Sequence, residues 1–230
     1  DFFHFAVPFI QRLSRFEESI EILRRAWTEE RFSFAGKRFN SGNVAVYPKP
    51  LQSPHPPLWL AAWSDAGAVR AGRLGDAYVT DPIQSFAAVS AFNTAYRASA
   101  AAAGRAPNVV LMREILCAPS RDAAIERYGD GLAATYRYYW ENDAFVLHWD
   151  DDLHKGAAFD DIELDSLMRD RVVVGSPDQC VEDLQRWAGA LQADHIQLVV
   201  PPGKHERNLA DKIATIHMLG EFVAAPLKEK

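Results

Sequence analysis

The chain is poor in cysteine, with Cys117 and Cys180 as its two copies in 230 residues. They form no CxxC pair and no Cys/His cluster of zinc spacing, which argues against a disulfide framework and a structural zinc site. Both are expected as core residues of a protein in a reducing compartment, with the cytoplasm as its location. No apolar run reaches the roughly 18 residues of a membrane span, so none is predicted. Basic residues are outnumbered: 25 Lys and Arg face 31 Asp and Glu, a net charge of −6. The acidic residues are spread along the chain, and Lys228 with Lys230 makes no basic arm, so no nucleic-acid partner is expected. The start, "DFFHFAVPF", lacks the basic stretch and small-residue cleavage site of a secretory signal. Also missing are a nucleophile elbow, a Walker A loop and a GxGxxG after a strand. His195, His205 and His217 share no metal spacing, and Asp150-Asp151-Asp152 lacks the calcium-loop pattern, so no metal is expected and the acidic run reads as a solvated loop.

What is present is a globular composition, 48% hydrophobic and 24% charged. It suits one domain over 1–230 with a sizeable core. Ile10, Leu13, Phe16, Ile20, Leu23 and Trp27 recur at steps of three and four, one face of a helix ending near Glu29. Phe32, Phe34, Phe39, Val44 and Val46 with two glycine turns predict an antiparallel hairpin at about 31–47. Pro48, Pro50, Pro54, Pro56 and Pro57 then enforce an extended connection. From Leu58 onward strands and helices alternate. Strands are predicted over Leu58–Ala62, Ala77–Thr80, Val109–Ala118 and His195–Pro201. Helices are predicted over Asp65–Leu74, Ser85–Ala103, Arg121–Trp140, Pro177–Leu191 and His205–Ala224. Strands this continuously apolar suit a parallel sheet covered by helices. Residues 141–170 interrupt the alternation as a loop insertion with a short helix near Leu164–Asp170. Such a loop is either a lid or substrate wall, or a solvated excursion.

One corner carries chemistry. In "PPLWLAAWSDAGAVRAGRLGDAYV" an apolar run ends at Trp63 and gives way to Ser64-Asp65-Ala66-Gly67. Ser64 sits at a helix N-cap, Asp65 suits the first turn, Gly67 permits close approach to the backbone, and Gly75 ends the helix. The free amides there would point out of the carboxyl end of the sheet, where phosphates favour them. Plain capping is the alternative reading. Capping alone accounts for "VVVGSPDQCVEDL", where Ser176, Pro177 and Gln179 form a capping box.

Other candidates remain two-sided. Arg113 and Glu114 are adjacent within an apolar strand, so they point to opposite faces. Arg113 either lines a site or makes a structural ion pair. Tyr136, Tyr138, Tyr139 and Trp140 cluster beside the insertion, as walls of an apolar pocket or as packing. His205 opens the last helix at the ligand-binding end of the sheet.

The order of segments resembles the bacterial luciferase-like flavin monooxygenase family. "RFEESIEILRRAWTEERFSFAGKRF" is similar to that family's helix and Phe-x-Gly-x-x-Phe hairpin. "YPKPLQSPHPPLWLAAWS" resembles its proline-rich approach to a strand, and "AGRLGDAYV" its next strand entry. "VVGSPDQCVEDL" and "PPGKHERNLADKIATIHMLGEFVAAPL" resemble its closing segments. The resemblance runs from about Phe3 to Leu227. It implies a (β/α)8 TIM-barrel fold, this chain supplying about the second half. It also implies reduced FMN delivered by a separate flavin reductase, with a deazaflavin as the alternative cofactor. The cofactor phosphate would rest on Trp63, Ser64, Asp65, Ala66 and Gly67. Arg113, Tyr136, Tyr139 and Trp140 would bind substrate. The first four strands, a catalytic histidine and a flavin-binding arginine would precede Asp1, and a homodimer is expected. The implied function is a two-component monooxygenase acting with oxygen on a small organic substrate. Alternatives are deazaflavin-dependent hydride transfer, a non-catalytic flavin-binding or dimer-partner subunit, and another phosphate-binding barrel enzyme such as an isomerase or aldolase. Where the family often has glycines this chain has Ala61, Ala62 and Trp63, and Trp63 is bulky enough to narrow the pocket.

Overall fold

A computed structural model describes residues 2–150, 153–204 and 209–228. Contacts along the chain group into two compact units, Asp1–Leu58 and Trp59–Lys230.

In the first unit, helix α1 (Arg12–Thr28) follows a single 3₁₀ turn over Phe9–Gln11. Its apolar stripe is only partly covered: Ile20 and Ala26 are buried, while Leu13 and Phe16 stay exposed. Strands β1 (Phe32–Ala35) and β2 (Asn40–Val44) form the expected hairpin, pairing Phe32 with Val44 and Phe34 with Ser41. Phe32 and Phe34 point the same way, as alternate residues must, and bury against Ala26, Ile22 and Phe39. One carboxylate organises the turn. Glu18 accepts the backbone N–H groups of Lys37 at 2.9 Å, Arg38 at 2.9 Å and Phe39 at 3.1 Å. A Cβ on Gly36 would lie 2.3 Å from Glu18 Oε2, so this position has to be glycine for the carboxylate to reach the turn. Partial burial alone would raise the Glu18 pKa, but the amides of Arg38, Phe39 and Lys37 outweigh it and hold the group below its ordinary range.

The second unit is a parallel sheet with helices. Its strands are β3 (Trp59–Ala62), β4 (Ala77–Thr80), β5 (Val109–Cys117), β6 (Val173–Gly175) and β7 (His195–Val199). The order is β3-β4-β5-β6, with β7 also paired to β5 along Val110–Glu114. Strand β6 was not among the predicted strands, because three residues carry too little periodicity to separate from the capping box behind them. The helices are α2 (Asp65–Leu74), α3 (Phe86–Ala102), α4 (Arg121–Glu141), α5 (Leu164–Met168), α6 (Pro177–Leu191), α7 (Leu209–Leu219) and α8 (Ala225–Lys228). The predicted helix start at His205 lies outside the described residues, and the last helix passes through a π-turn over Gly220–Ala224 before α8.

Alternation along β5 sorts its side chains onto two faces. Leu111, Ile115 and Cys117 pack with α3 and α6 residues such as Val89, Trp187, Cys180 and Leu184. Val110 and Met112 pack with Ala77 and Val79 on the other face, and Leu116 meets α4 there through Tyr128, Leu132 and Tyr136. Both cysteines are buried and free of disulfides, as expected of core residues. The sheet is strongly curled. Trp59 of β3 and His195 of β7 are not sheet neighbours, yet their rings stack with centroids 5.4 Å apart. Side-chain order puts both on the face opposite α3 and α6, which is therefore the concave one. The helical layer is tight: a Cβ on Gly72 of α2 would meet the Tyr96 carbonyl at 2.6 Å and the Ala100 nitrogen at 2.8 Å on α3.

Candidate active site

The β3–α2 corner has the capping geometry that its sequence predicts. Ser64 is extended (φ −155°, ψ 156°), and its Oγ accepts the Gly67 N–H at 3.2 Å. The Ala68 N–H reaches the Ser64 carbonyl at 2.8 Å. The amides of Asp65 and Ala66, the first two of the helix, have no intrahelical acceptor. Trp63, Ser64, Asp65 and Ala66 are all exposed, so this turn is open rather than walled by side chains. Gly67 needs a different account from the expected one. A Cβ there would meet Ala62 Cβ at 2.8 Å and Ser64 Oγ at 3.1 Å. The close approach that requires glycine is thus to the protein's own strand end and cap.

Trp63, immediately before the cap, lines a cavity of about 1040 Å³. Trp140 and residues of the insertion, among them Phe145, Val146, Leu147 and Leu153, supply the rest of its wall. The corner and the insertion therefore share one rim. Trp140 is held by its indole N–H, which donates to the Ala157 carbonyl at 3.2 Å. Tyr139 is half-buried beside Trp140 in the α4 core and stays out of the cavity lining.

Two expected substrate contacts require correction. Arg113 is fully buried and is not among the residues that line this cavity. It points to the helix side, with its guanidinium 4.3 Å from the Trp187 ring centroid. It donates to four main-chain carbonyls: Met112 at 2.6 Å, Gln84 at 2.9 Å, Arg171 at 3.4 Å, and Asp81. Main-chain carbonyls, not a carboxylate, satisfy it. Burial lowers its pKa to about 10, which leaves it charged at neutral pH. Tyr136 is likewise fully buried, with its ring 5.5 Å from Phe145, and its hydroxyl faces Glu114. Burial drives the Tyr136 pKa up, and the Glu114 charge adds to that.

Glu114, on the concave face, is 3% exposed, and its Oε2 has no hydrogen-bond partner among the described residues. Burial lifts its pKa to about 7 against the pull of Tyr136 and Arg113. Asp81, at the end of β4, is also pushed up by burial. The Asp150 reading changes as well. Its carboxylate pairs with Arg171, and both side chains are almost wholly buried. Asp150 is an internal anchor of the insertion; Asp151 and Asp152 lie outside the described residues. Sequence reasoning missed Gln84, whose side-chain amide grips Ala144 and Val146 of the cavity wall. A glutamine in a strand-to-helix loop gives no periodic signal.

Comparison with known proteins bears on this geometry. Over 99 residues the chain is 36% identical to an FMNH2-dependent dimethylsulfone monooxygenase of Pseudomonas putida, a match covering 43% of this chain and 27% of that one. Over 71 residues it is 37% identical to an F420-dependent glucose-6-phosphate dehydrogenase of Segniliparus rotundus, covering 31% of this chain and 21% of that one. Among solved structures, monooxygenase RslO1 from Streptomyces bottropensis superposes with a TM-score of 0.73 at 22% identity, covering 97% of this chain and 64% of that one. The chain thus spans less than two thirds of the length of each. The structural likeness identifies the curled sheet and its helices as part of a (β/α)8 barrel. The model of the luciferase-like monooxygenase family matches residues 1–193. A match over most of the chain, in a barrel segment with this helix-capped corner at its mouth, means that the chain belongs to the luciferase-like monooxygenase family.

Proposed function

We propose that this chain provides the phosphate-binding side of a flavin-dependent oxidoreductase, a two-component monooxygenase that takes reduced FMN from a separate reductase. The supporting observation is the exposed, serine-capped start of α2 on the rim of the cavity. The residues there fit a phosphate. Ser64 fixes the turn by binding the Gly67 amide, which leaves the Asp65 and Ala66 amides to donate to an anion at the positive end of a ten-residue helix. Trp63 and Trp140 give the apolar surface a flat ring requires, and the insertion shields it from water. When bound, the reduced flavin supplies the electrons and the reaction with oxygen that oxidise a small organic substrate. The chain's own part is to seat the phosphate, orient the ring and exclude water. A homodimer belongs to the same proposal.

Titration of the full chain with FMN and with riboflavin tests this reading. FMN should bind at least tenfold more tightly, because riboflavin lacks the phosphate. Equal affinities, or no binding of either, would reject it. The F420-dependent relative favours a second reading, hydride transfer with a deazaflavin. Binding of F420 alone, without reductase-coupled oxygen consumption, would select that reading.

A further inference from the structure

We infer that Gln84 is a positioning residue for the cavity, its side-chain amide serving as the missing strand partner of wall segment 144–146. The inference rests on reading that cavity as the flavin site.

Gln84 lies between β4 and α3 and is 1% exposed. Its Nε2 donates to the Ala144 carbonyl at 2.8 Å, and its Oε1 accepts the Val146 N–H at 2.9 Å. A carbonyl and an N–H two residues apart, both met by one planar amide, reproduce the two bonds that a single residue makes to its neighbour in a parallel ladder. The wall needs this because, among the described residues, the segment has no sheet neighbour of its own. Its other main-chain ties are the Ala144 N–H, which donates to the Tyr139 carbonyl at 3.0 Å at the end of α4, and the Val146 carbonyl, which accepts the Trp149 N–H at 3.3 Å. Buried main-chain groups must be paired, and here a side chain does the pairing.

Gln84 is itself held rigidly. Its carbonyl accepts from Arg113 at 2.9 Å, and Arg113 also bonds the Asp81 and Arg171 carbonyls. Asp81 Oδ1 accepts the Ile83 N–H at 2.9 Å, which tightens the turn into Gln84. The buried Arg171–Asp150 pair pins the far end of the same wall. Arg113, which sequence reasoning assigned to substrate, thus acts through Gln84 on the cavity. Ala144, Phe145 and Val146 line the cavity whereas Gln84 does not, so its influence passes through the wall.

Two variants of the full chain test this. Gln84→Leu keeps the volume and removes both bonds. Gln84→Glu keeps an acceptor for Val146 but sets a second oxygen against the Ala144 carbonyl unless the new carboxyl is protonated. The groups around it are Asp81, Arg113, Glu114, Tyr136 and the Arg171–Asp150 pair. Hydrogen exchange over 143–147 should speed at least tenfold in Gln84→Leu, with the α2 and α3 amides unchanged. FMN and riboflavin should both weaken about tenfold in the same ratio, since the wall and not the phosphate seat has moved. Gln84→Glu should match Gln84→Leu at pH 8 and return toward wild type, measured at each pH, as pH falls to about 5.5. Unchanged exchange, a Gln84→Glu defect indifferent to pH, or faster exchange with intact flavin affinity would each overturn the inference. Should wild type bind neither FMN nor F420, the flavin reading falls, and the exchange data with their pH recovery still decide the tether. Should Gln84→Leu not fold, slow exchange of the Val146 amide in wild type is still required.

Discussion

Replacing Asp65 with proline separates the phosphate seat from the helix that carries it. Asp65 is the first residue of α2, and Ser64 before it is extended at φ −155° and ψ 156°. Proline is favoured at that first position, and an extended residue is what should precede it. The substitution deletes one amide donor that has no intrahelical partner, so α2 should form as before, with stability unchanged or up by about 0.4–1 kcal/mol. It also deletes an exposed carboxylate, so the proper reference is Asp65→Ala. That reference should itself bind FMN about two- to fivefold more tightly than wild type, because it removes a negative charge beside the phosphate. From that reference Asp65→Pro loses one amide bond to a charged group, about 1.5–3 kcal/mol. The FMN dissociation constant should therefore rise about 10- to 150-fold between the two variants. Riboflavin should not distinguish them. Fluorescence titration gives both ligands on the same samples, and thermal melting checks the helix. If FMN and riboflavin weaken together, or if FMN ignores the proline, phosphate does not rest on α2.

Other expectations follow from burial and fit. Glu114 has a pKa raised to about 7 from an ordinary 4.5. The folded state then binds the extra proton between these values, so stability falls as pH rises from about 4.5 to 7, by about 1–3 kcal/mol. Glu114→Gln should gain melting temperature over wild type at pH 8 and little at pH 4.5; a constant difference would mean the carboxyl is not desolvated. Glu18 works in the opposite sense. Its folded pKa lies below the ordinary value, so its contribution is full above about pH 4.5 and is lost as pH falls through the folded value. Exchange at Lys37, Arg38 and Phe39 should accelerate on acidification, and Glu18→Gln should remove that pH response. Gly72→Ala forces a methyl to within 2.6 Å of the Tyr96 carbonyl, and overpacking of this kind costs about 1–3 kcal/mol. Melting should fall by several degrees, and an unchanged melting point would show that α2 and α3 can part freely.

The elements that sequence reasoning located have strong local signals. Helix α2 begins at Asp65 and ends at Leu74 as predicted, because a serine cap opens it and Gly75 follows it. Helix α6 matches for the same reason, with the Ser176–Gln179 capping box in place. Strand β4, buried at all four positions, needs no alternation to be seen between two turns. The site was legible only in part. The capped corner is a local pattern and was found; the wall opposite it is not local. Gln84 meets Ala144 and Val146 about sixty residues away, and Asp150 meets Arg171 across the insertion. No spacing rule links such pairs, because the intervening chain can take any length that returns.

Arg113 and Asp150 show what misleads a reading made residue by residue. A charged residue in an apolar strand suggests a ligand, and an acidic run suggests solvent. Both inferences assume that a charge is satisfied by another charge or by water. In this fold Arg113 is satisfied by four main-chain carbonyls, which have no residue type and leave no mark in a sequence. The Asp81 and Gln84 carbonyls are available because strand β4 ends at Thr80 and the chain turns into a loop, the end of a parallel sheet at which ligands bind. The same geometry that makes room for a ligand therefore exposes backbone acceptors that need a cation. An arginine on a strand that runs past the end of its neighbour can then fix the loops around a site without touching what the site binds. Here the distinction is measurable. Arg113→Lys keeps the charge and loses the fork that spans Gln84, Asp81 and Arg171, so it should loosen exchange at 143–147 as Gln84→Leu does. A ligand-contacting arginine would instead leave that segment protected and change affinity alone.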